Sequence, residues 1–509
     1  MQKSVAPVTL AILLAGCTVG PDYTQPKVET PASFAEPTPV NASADSVDLA
    51  HWWTAFGDPE LDRLVDTALD QGLDIKAAAS RIRQARYAEA TARSRFLPQI
   101  NASGGVNRVD FSKNAGFASL ASLFSGSGGG GGGAGSSGGV ALPGGGITTY
   151  SAGFDASWEI DLFGAGTRSA EAAAARVGAA EWNARDAAVS LAAEVANSYL
   201  QLRTLQKREA VLREEAARQQ RLSLLQSHRA QVGLTPETDS IRQRASLSAT
   251  EAAIEPVIVQ ERIQMHAIAV LLGKQPGALI DQLSQPTNAT DTPPPVPPGL
   301  PSDLLRRRPD VRAAERRLAA ATGDVGVAVA DLYPHFSLTG VAELISSSLA
   351  SLFESDSLQT TAGAKAIFPV LDFGRRRGQV DIRQEDRQQA YIAYQKTVLG
   401  ALKDVEDALV RVQGEQNRNK RLQASVSDAE RGLKAVRAKY DTGLVDLSAV
   451  LQAQASVLDA RNQLAESDGA LKQALASLYK ALGGGWDEAT IKGIEATQPT
   501  PLDASQQQP

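Results

Sequence analysis

The chain has 509 residues, of which 21% are charged, and its formal net charge at pH 7 is −6. Nucleic-acid-binding proteins usually carry a basic surface, so this balance argues against nucleic acid as a partner. Aromatic residues make up only 5%, and the long middle stretches are rich in Ala, Gln, Arg and Glu, a composition typical of extended helices.

The first 16 residues have the pattern of an export signal. Lys3 supplies a positive charge, residues 8–14 form an apolar run, and Ala15 and Gly16 precede Cys17. The apolar run is too short to cross a bilayer, which predicts a signal peptide over residues 1–16 that is removed. Cys17 is the only cysteine, so an internal disulfide is excluded. Its position predicts the lipid-attachment site of a bacterial lipoprotein; the alternative is a small buried apolar residue.

Motifs of the first half of the chain return in the second half. DIKAA at 74–78 returns as DVRAA at 310–314, 236 residues later, and Phe163-Gly164 returns as Phe373-Gly374, 210 residues later. The offset changes by 26 residues, within a window that contains the glycine-rich tract 126–146. One loop insertion therefore accounts for the difference between two collinear halves, and such self-similarity predicts two repeated structural units.

Each repeat is predicted to contain a helix, two strands, a long helix and a helix of medium length. The first repeat covers 74–273, with strands at about 99–110 and 149–162 and a long helix at about 165–231; the second covers 310–483, with strands at about 335–345 and 358–371 and a long helix at about 375–441. The remaining segments are an N-terminal segment at 17–73, a Pro-rich linker at 274–309 and a tail at 484–509. At about 1.5 Å per residue, each long helix would measure roughly 100 Å.

The strand after the glycine-rich tract alternates between apolar and polar residues. Its apolar face consists of Tyr150, Ala152, Phe154, Ala156, Trp158 and Ile160. Period two with one apolar face suits a wall between lipid and water, although a half-buried soluble sheet would give the same pattern. Since no later segment has the roughly 18 uninterrupted apolar residues of a membrane helix, any membrane crossing would have to use strands. Four strands cannot close a barrel alone, so that interpretation requires an oligomer.

The second long helix carries a seven-residue repeat of mostly apolar positions. These are Val398, Val405, Val412, Asn419, Val426, Leu433 and Tyr440. This spacing predicts coiled-coil packing, in which the single Asn fixes the register. A cytoskeletal or scaffold coiled coil would share the pattern. The matched turns at Gly233 and Gly443 favour helical hairpins instead, because each long helix would reverse into a shorter one.

Four motifs together carry a family resemblance. They are CTVGPDY at 17–23, WWTAFGDP at 52–59, WEIDLFG at 158–164 and LLRRRPD at 304–310. In this combination the chain resembles the outer-membrane efflux protein family of TolC-like channels, and specifically its lipoprotein branch. The resemblance covers nearly the whole mature chain.

The resemblance implies a mainly α-helical fold with a membrane β-barrel. Three subunits would form a homotrimer with a twelve-stranded β-barrel, continued by an α-helical barrel in the periplasm. The implied location is the outer membrane of a Gram-negative cell, with the chain anchored by lipid. The implied function is a passive exit duct of a tripartite efflux system that works with a periplasmic membrane-fusion adaptor and an inner-membrane RND-type pump, without a cofactor or a metal.

The resemblance also implies a periplasmic aperture near the two glycine turns. In GLTPETD at 233–239 it assigns Thr238 and Asp239 to the constriction, and it assigns to Tyr440 a role in holding the second hairpin closed. Gln452 also belongs to the implied aperture, and here the chain departs from the family, because relatives often carry an acidic residue at that position. We therefore expect the acidic ring to be supplied by Asp239 alone.

Three alternatives remain beside the efflux duct. The channel of a type I protein-secretion system would share the fold, and a periplasmic coiled-coil scaffold lipoprotein would share the lipid site and the heptads. An enzyme is disfavoured because the four histidines, His51, His228, His266 and His335, lack metal-ligand spacing. In addition, no hydrolase, zinc-protease or dinucleotide motif occurs in a supporting context.

Overall fold

The computed structural model describes residues 18–29, 31–36, 48–110, 146–285, 294, 303, 306–488 and 492–494. The predicted signal peptide, Cys17, most of the glycine-rich tract and most of the Pro-rich stretch at 286–305 lie outside these residues. No helix in the described part of the chain combines the length and the apolarity that crossing a membrane requires.

The described elements are mainly helical. The helices are α1 (Pro59–Gln71), α2 (Leu73–Ser94), α3 (Ala165–Gln231), α4 (Glu237–Leu271), α5 (Ile280–Leu283), α6 (Pro309–Ala330), α7 (Arg375–Asp441) and α8 (Leu447–Ala481). The strands are β1 (Gln99–Asp110), β2 (Gly146–Ile160), β3 (His335–Ser346) and β4 (Leu358–Ile367). Helices in corresponding positions of the two halves have equal lengths: 22 residues in α2 and α6, 67 in α3 and α7, and 35 in α4 and α8.

The chain divides into two compact units. The first comprises residues 1–22, 89–172 and 322–385, and the second comprises 23–88, 173–321 and 386–509. The four strands belong to the first unit, and most of the long helices belong to the second. Each unit therefore draws on both halves of the sequence, so the segments 74–273 and 310–483 are not themselves compact bodies.

The four strands form one antiparallel sheet in the order β1-β2-β3-β4. Gln99 pairs with Ser157, Tyr150 with Ser346 and His335 with Ile367. The strand predicted at 358–371 ends at Ile367, four residues early. Pro369 follows two residues later, and because proline has no N–H to donate, it cannot extend a strand ladder.

Both hairpin turns are closed by the same glycine motif. Gly233 and Gly443 have left-handed backbone angles, with φ of 76° and 74°, which side chains with a Cβ adopt only at a cost. The Leu234 N–H donates to the Arg229 carbonyl over 2.8 Å, and the Leu444 N–H donates to the Lys439 carbonyl over 2.9 Å. These bonds satisfy carbonyls at the ends of α3 and α7, so both long helices terminate sharply.

The apolar core of the second unit joins the N-terminal segment to the helices. The ring of Trp52 stacks on that of Tyr479 at 5.4 Å between centroids, and both side chains are buried. Asp58 caps α1 by accepting from the Glu60 N–H, and its other oxygen accepts a 2.6 Å hydrogen bond from the Tyr199 hydroxyl. The cap therefore fixes α1 to α3 as well as starting α1.

Arg308 connects three helices of the second unit. Its guanidinium donates to both carboxylate oxygens of Asp310 at the start of α6, over 3.0 and 2.7 Å. It also donates to Asp404 of α7 over 3.0 Å and to the Ala481 carbonyl at the end of α8 over 3.2 Å. A planar guanidinium satisfies several acceptors at once, so one side chain aligns α6, α7 and α8.

The heptad seam of α7 faces the interior of the second unit. Val398, Val405 and Val412 are buried. The buried Asn419 donates to Asp468 of α8 over 2.6 Å, and Lys207 of α3 pairs with the other oxygen of Asp468 over 2.8 Å. The polar interruption of the seam therefore links three helices, as expected of a residue that fixes register.

Gly469 of α8 should stabilise the fold by allowing close packing against α3. A Cβ at this position would overlap the side chain of Thr204 on α3, whereas a Cβ at Gly432 of α7 would meet no atom within 4 Å. We expect Gly469→Ala to lower the free energy of unfolding by about 1–3 kcal/mol through overpacking. The matched Gly432→Ala should leave it unchanged or raise it by up to about 1 kcal/mol. Thermal unfolding of the full chain in detergent, followed by helical circular dichroism, measures both; equal shifts would contradict the close contact between α3 and α8.

Candidate functional site at the hairpin turns

Tyr440, at the end of α7, contacts the other long helix. Its hydroxyl accepts a 3.2 Å hydrogen bond from Nε2 of Gln226 on α3. Gln226 is buried, and its Oε1 has no hydrogen-bond partner among the described residues. Tyr440 thus joins the ends of the two long helices through a single polar contact.

Asp239 lies in the first turn of α4, and its side chain is only partly exposed. Its backbone N–H donates to the Pro236 carbonyl, and its carboxylate lies 4.0 Å from Nη1 of Arg242. A carboxylate at a helix start is stabilised by the helix dipole. Thr238, its neighbour, is exposed, so both predicted first-turn residues lie at the surface of the hairpin end.

A second carboxylate at the turns is one that the sequence analysis missed. Asp446 caps α8, accepting a 3.2 Å hydrogen bond from the Ala449 N–H, and its two carboxylate oxygens share the proton of the Ser448 hydroxyl, which lies 2.7 and 2.8 Å from them. The Ser448 hydroxyl, the Ala449 N–H and the charge of Arg242 lower the pKa of Asp446 below its usual range. Arg242 therefore acts on the acidic groups of both turns, Asp239 and Asp446.

Gln452 lies in the second turn of α8 and is exposed. Its carbonyl accepts a 3.0 Å hydrogen bond from the Ser456 hydroxyl. Of the predicted aperture residues, the structure places Thr238 and Asp239 at one turn and Tyr440 and Gln452 at the other.

The helix interior near the turns contains many polar side chains beside apolar ones such as Leu447 and Val450. Buried polar side chains occur there at Glu215, Gln219, Ser223, Gln226, Ser240, Gln243, Thr250 and Gln454. The Thr250 hydroxyl donates to Oε1 of Gln219 over 3.1 Å, but neither amide atom of Gln454 has a partner among the described residues. Incompletely bonded polar groups stabilise packing less than apolar ones do. This part of the bundle is therefore held together less firmly than the apolar core.

Glu261 of α4 is a buried acid next to a second acid. Burial raises the pKa of Glu261 to about 7, and the charge of Glu209 on α3 and a hydrogen bond with it act in the same direction, while Arg213 and Arg262 oppose them. Glu209 itself accepts a 2.6 Å hydrogen bond from Arg213. Two carboxyl groups joined by a hydrogen bond favour sharing one proton.

Comparisons with known proteins point to one family. The pattern that defines the family described as outer membrane efflux protein matches residues 64–274 and 300–484. The chain is 31% identical over 483 residues to the pyoverdine export outer membrane protein OpmQ of Pseudomonas putida, covering 94% of this chain and 96% of OpmQ. It is 30% identical over 517 residues to the toluene efflux pump outer membrane protein TtgF of Pseudomonas putida, covering 97% of this chain and 100% of TtgF.

Solved structures give the same result. The outer-membrane channel OprN is 30% identical to this chain with a TM-score of 0.80, and the match covers 92% of this chain and 100% of OprN. The matching family, the relatives and the structural neighbours are channel proteins rather than enzymes.

The pair Glu209–Glu261 predicts a pH dependence of stability. Between its unfolded pKa of 4.5 and its folded pKa of about 7, Glu261 binds more protons in the folded chain than in the unfolded one. Stability should therefore fall as pH rises through this window and level off above it. We expect Glu261→Gln to remove this slope and to raise the free energy of unfolding at pH 8 by on the order of 1 kcal/mol. Thermal unfolding from pH 5 to 8 tests this, with Glu255→Gln, an exposed glutamate of α4, as the control that should keep the slope.

Proposed function

Because the chain belongs to the outer membrane efflux protein family and is an outer-membrane efflux channel, we propose that three copies form one passive exit duct that reaches into the periplasm. The family membership confirms the resemblance read from the sequence motifs. The assembly, the lipid anchor, the aperture and the partners belong to the proposal.

The main observation that supports a trimer is that the four-stranded sheet has two unpaired outer strands. β1 and β4 are its outer strands, and every residue of both strands is exposed in the single chain. Four strands are too few to close a barrel, and unpaired backbone groups are not tolerated in hydrocarbon. Three copies would supply twelve strands and leave no edge unpaired.

Apolar side chains on one face of the sheet support its placement in lipid. Phe154 and Trp158 of β2 and Leu338 of β3 are large, apolar and exposed. An exposed apolar face of this kind marks a surface that contacts lipid or protein. In a closed barrel it would form the outer, lipid-facing wall.

A lipid anchor at Cys17 fits the residues that follow it. The Val19 N–H donates to the Phe163 carbonyl over 3.1 Å, and the buried Arg168 donates to the Val19 carbonyl over 3.2 Å and to Asp22 over 2.6 Å. These contacts hold the chain next to the end of β2, so an acyl group on Cys17 would start close to the edge of the membrane-spanning sheet.

For the aperture we propose Thr238, Asp239, Tyr440 and Gln452, with Asp446 added from the structure. Three copies would bring the carboxylates of Asp239 and Asp446 around one axis, and a ring of carboxylates favours cations. The polar contact between Gln226 and Tyr440 would hold the closed state. The exposed Leu234 and Leu444 at the turns would offer apolar contact to a periplasmic adaptor.

Energy and substrate choice would come from the partners, an inner-membrane RND-type pump and its membrane-fusion adaptor. The relatives carry different cargo in their names, pyoverdine for OpmQ and toluene for TtgF, which supports a duct for small compounds without selecting one. A type I secretion channel is the second candidate, since it would use the same sheet and helices.

The trimer can be tested with the full chain purified in detergent. We expect a trimer that resists dissociation by dodecyl sulfate until it is heated, and conductance steps in planar bilayers. Cys17→Ser should lose lipid labelling but still require detergent, because the apolar sheet face remains. A monomer without conductance, soluble after Cys17→Ser, would instead support the periplasmic scaffold.

The aperture assignment predicts a change in conductance. We expect Asp239→Ala to weaken block by divalent cations, because the ring loses three negative charges to which they would bind, and the relief of block should raise single-channel conductance modestly. Asp428→Ala is the matched control: Asp428 also pairs with an arginine three residues later, Arg431, but lies within α7 away from the turns. Bilayer recordings in which Asp239→Ala equals the parent protein would remove Asp239 from the aperture.

A further inference from the structure

We propose that β4 of one copy pairs with β1 of the next copy in the same register in which β2 pairs with β3 within one chain. The row of paired residues between β2 and β3, here called the seam, then fixes which residue of β4 faces which residue of the partner's β1. The inference rests on the proposed trimer and goes beyond it, because a trimer alone does not set the register of its strands.

The template comes from the correspondence between the halves. Phe163-Gly164 after β2 corresponds to Phe373-Gly374 after β4, and both glycines have left-handed backbone angles, with φ of 82° and 85°. Pro98 before β1 corresponds to Pro334 before β3. β4 is therefore the counterpart of β2, and β1 is the counterpart of β3.

Inside the chain, the seam between β2 and β3 is fully defined. Phe154 faces Ala342, Ala152 faces Leu344, and Gly153 faces Glu343. Just below the strands, the ring of Phe163 stacks on that of Tyr333 at 4.7 Å between centroids.

Replacing each residue by its counterpart gives the register between copies. Ala364 of β4 then faces the partner's Val106, Ala362 faces the partner's Arg108, and Gly363 faces the partner's Asn107. This register continues the same face of the sheet from one copy to the next, because Val106 pairs with Tyr150 and Ala364 pairs with Leu338 within the sheet. A shift by one residue would break this match.

The exposure of apolar side chains in the single chain was not used to derive the register, and it agrees with the register. The counterpart of the Phe163–Tyr333 stack is Phe373 against the partner's Leu97, and these side chains are 93% and 60% exposed in the single chain. The counterpart of Ile160 facing Phe336 is Val370 against the partner's Ile100, 89% and 71% exposed. The register therefore places these four exposed apolar side chains in two facing pairs.

A glycine requirement recurs at the same place. A Cβ on Gly153 would overlap the backbone of Glu343 across the seam. Its counterpart on β4 is again a glycine, Gly363. The close approach seen within one chain is thus also available between two copies.

Four cysteine substitutions in the full chain test the register in native outer membranes. Ala364→Cys with Val106→Cys, and Ala362→Cys with Arg108→Cys, place cysteines directly opposite, about 4.5–5.5 Å apart between Cα atoms, within disulfide range. The exchanged combinations, Ala364→Cys with Arg108→Cys and Ala362→Cys with Val106→Cys, are shifted by two residues to about 7–8 Å, outside that range. We expect covalent dimers and trimers from the first two pairs after mild oxidation, at least about fivefold more than from the exchanged pairs.

The outcomes separate the two proposals. Each single-cysteine variant controls for bonds to other thiols, and heat-labile trimers on gels report the assembly before oxidation. Trimers in which the exchanged pairs react better, or in which no pair reacts, would overturn the register and leave the channel proposal intact. Absence of any trimer in the parent chain would overturn the proposed function itself.

A substitution without cysteine gives a second measurement. Phe373→Ser should lower the temperature at which the trimer dissociates in dodecyl sulfate by several degrees, because it removes an apolar contact between copies. Phe353→Ser is the matched control, since Phe353 is 76% exposed and lies between β3 and β4, away from the seam. Equal effects of the two substitutions would contradict the assigned contact.

Discussion

If the sheet lies in lipid as proposed, the need to satisfy its backbone hydrogen bonds there is the constraint on which the rest of this structure depends. The sheet has four strands, with an unpaired edge on β1 and another on β4. Water can satisfy such edges, but hydrocarbon cannot. In the proposed trimer the two edges would pair with each other, because the chain repeats itself and β1 and β4 correspond to β3 and β2. The duplication would then give one chain both sides of the interface between copies.

The buried side chains of the second unit become more polar along its helices towards the turns. Around Trp52, Tyr199 and Tyr479 the packing is apolar, and the Arg308 contacts add ion pairs between α6, α7 and α8. Towards the turns many buried positions carry amides and hydroxyls beside apolar residues such as Leu447 and Val450, and several of these polar groups have no partner among the described residues. Apolar burial contributes most to stability, whereas unsatisfied polar groups reduce it. The helices are accordingly held more firmly around the apolar core than at the turns, which is consistent with the proposed aperture at the turns.

The mainly helical architecture was predictable because its signals are local. Glycine turns, the absence of proline and heptad spacing are properties of neighbouring residues, and they do not depend on what the helices pack against. The compact units were not predictable in this way, because each collects segments from both halves. The early end of β4 was missed, although Pro369 was visible, because alternation continues past it. Asp446 carries the usual signal of a helix cap, but its proximity to Arg242 depends on tertiary structure. The pairing of Glu209 with Glu261 likewise follows from the register between α3 and α4, which a single sequence does not reveal.

The two turns also differ in the hydrogen bonds that start their second helices, and this bears on how the proposed aperture would open. α8 begins with the side chain of Asp446 bonded to the Ala449 N–H, whereas α4 begins at Pro236 without a side-chain cap. The contacts described between the two hairpin ends are the hydrogen bond from Gln226 to Tyr440 and the attraction between Arg242 and Asp446. A hydrogen bond of this kind is worth about 1 kcal/mol and a surface charge pair about 0–1 kcal/mol. In the proposed duct, binding of an adaptor at the exposed leucines of the turns would supply energy of that size, so opening would not require disruption of the apolar core. Contacts between copies, including the pairing of β4 with the partner's β1, would then add to the stability of the closed state.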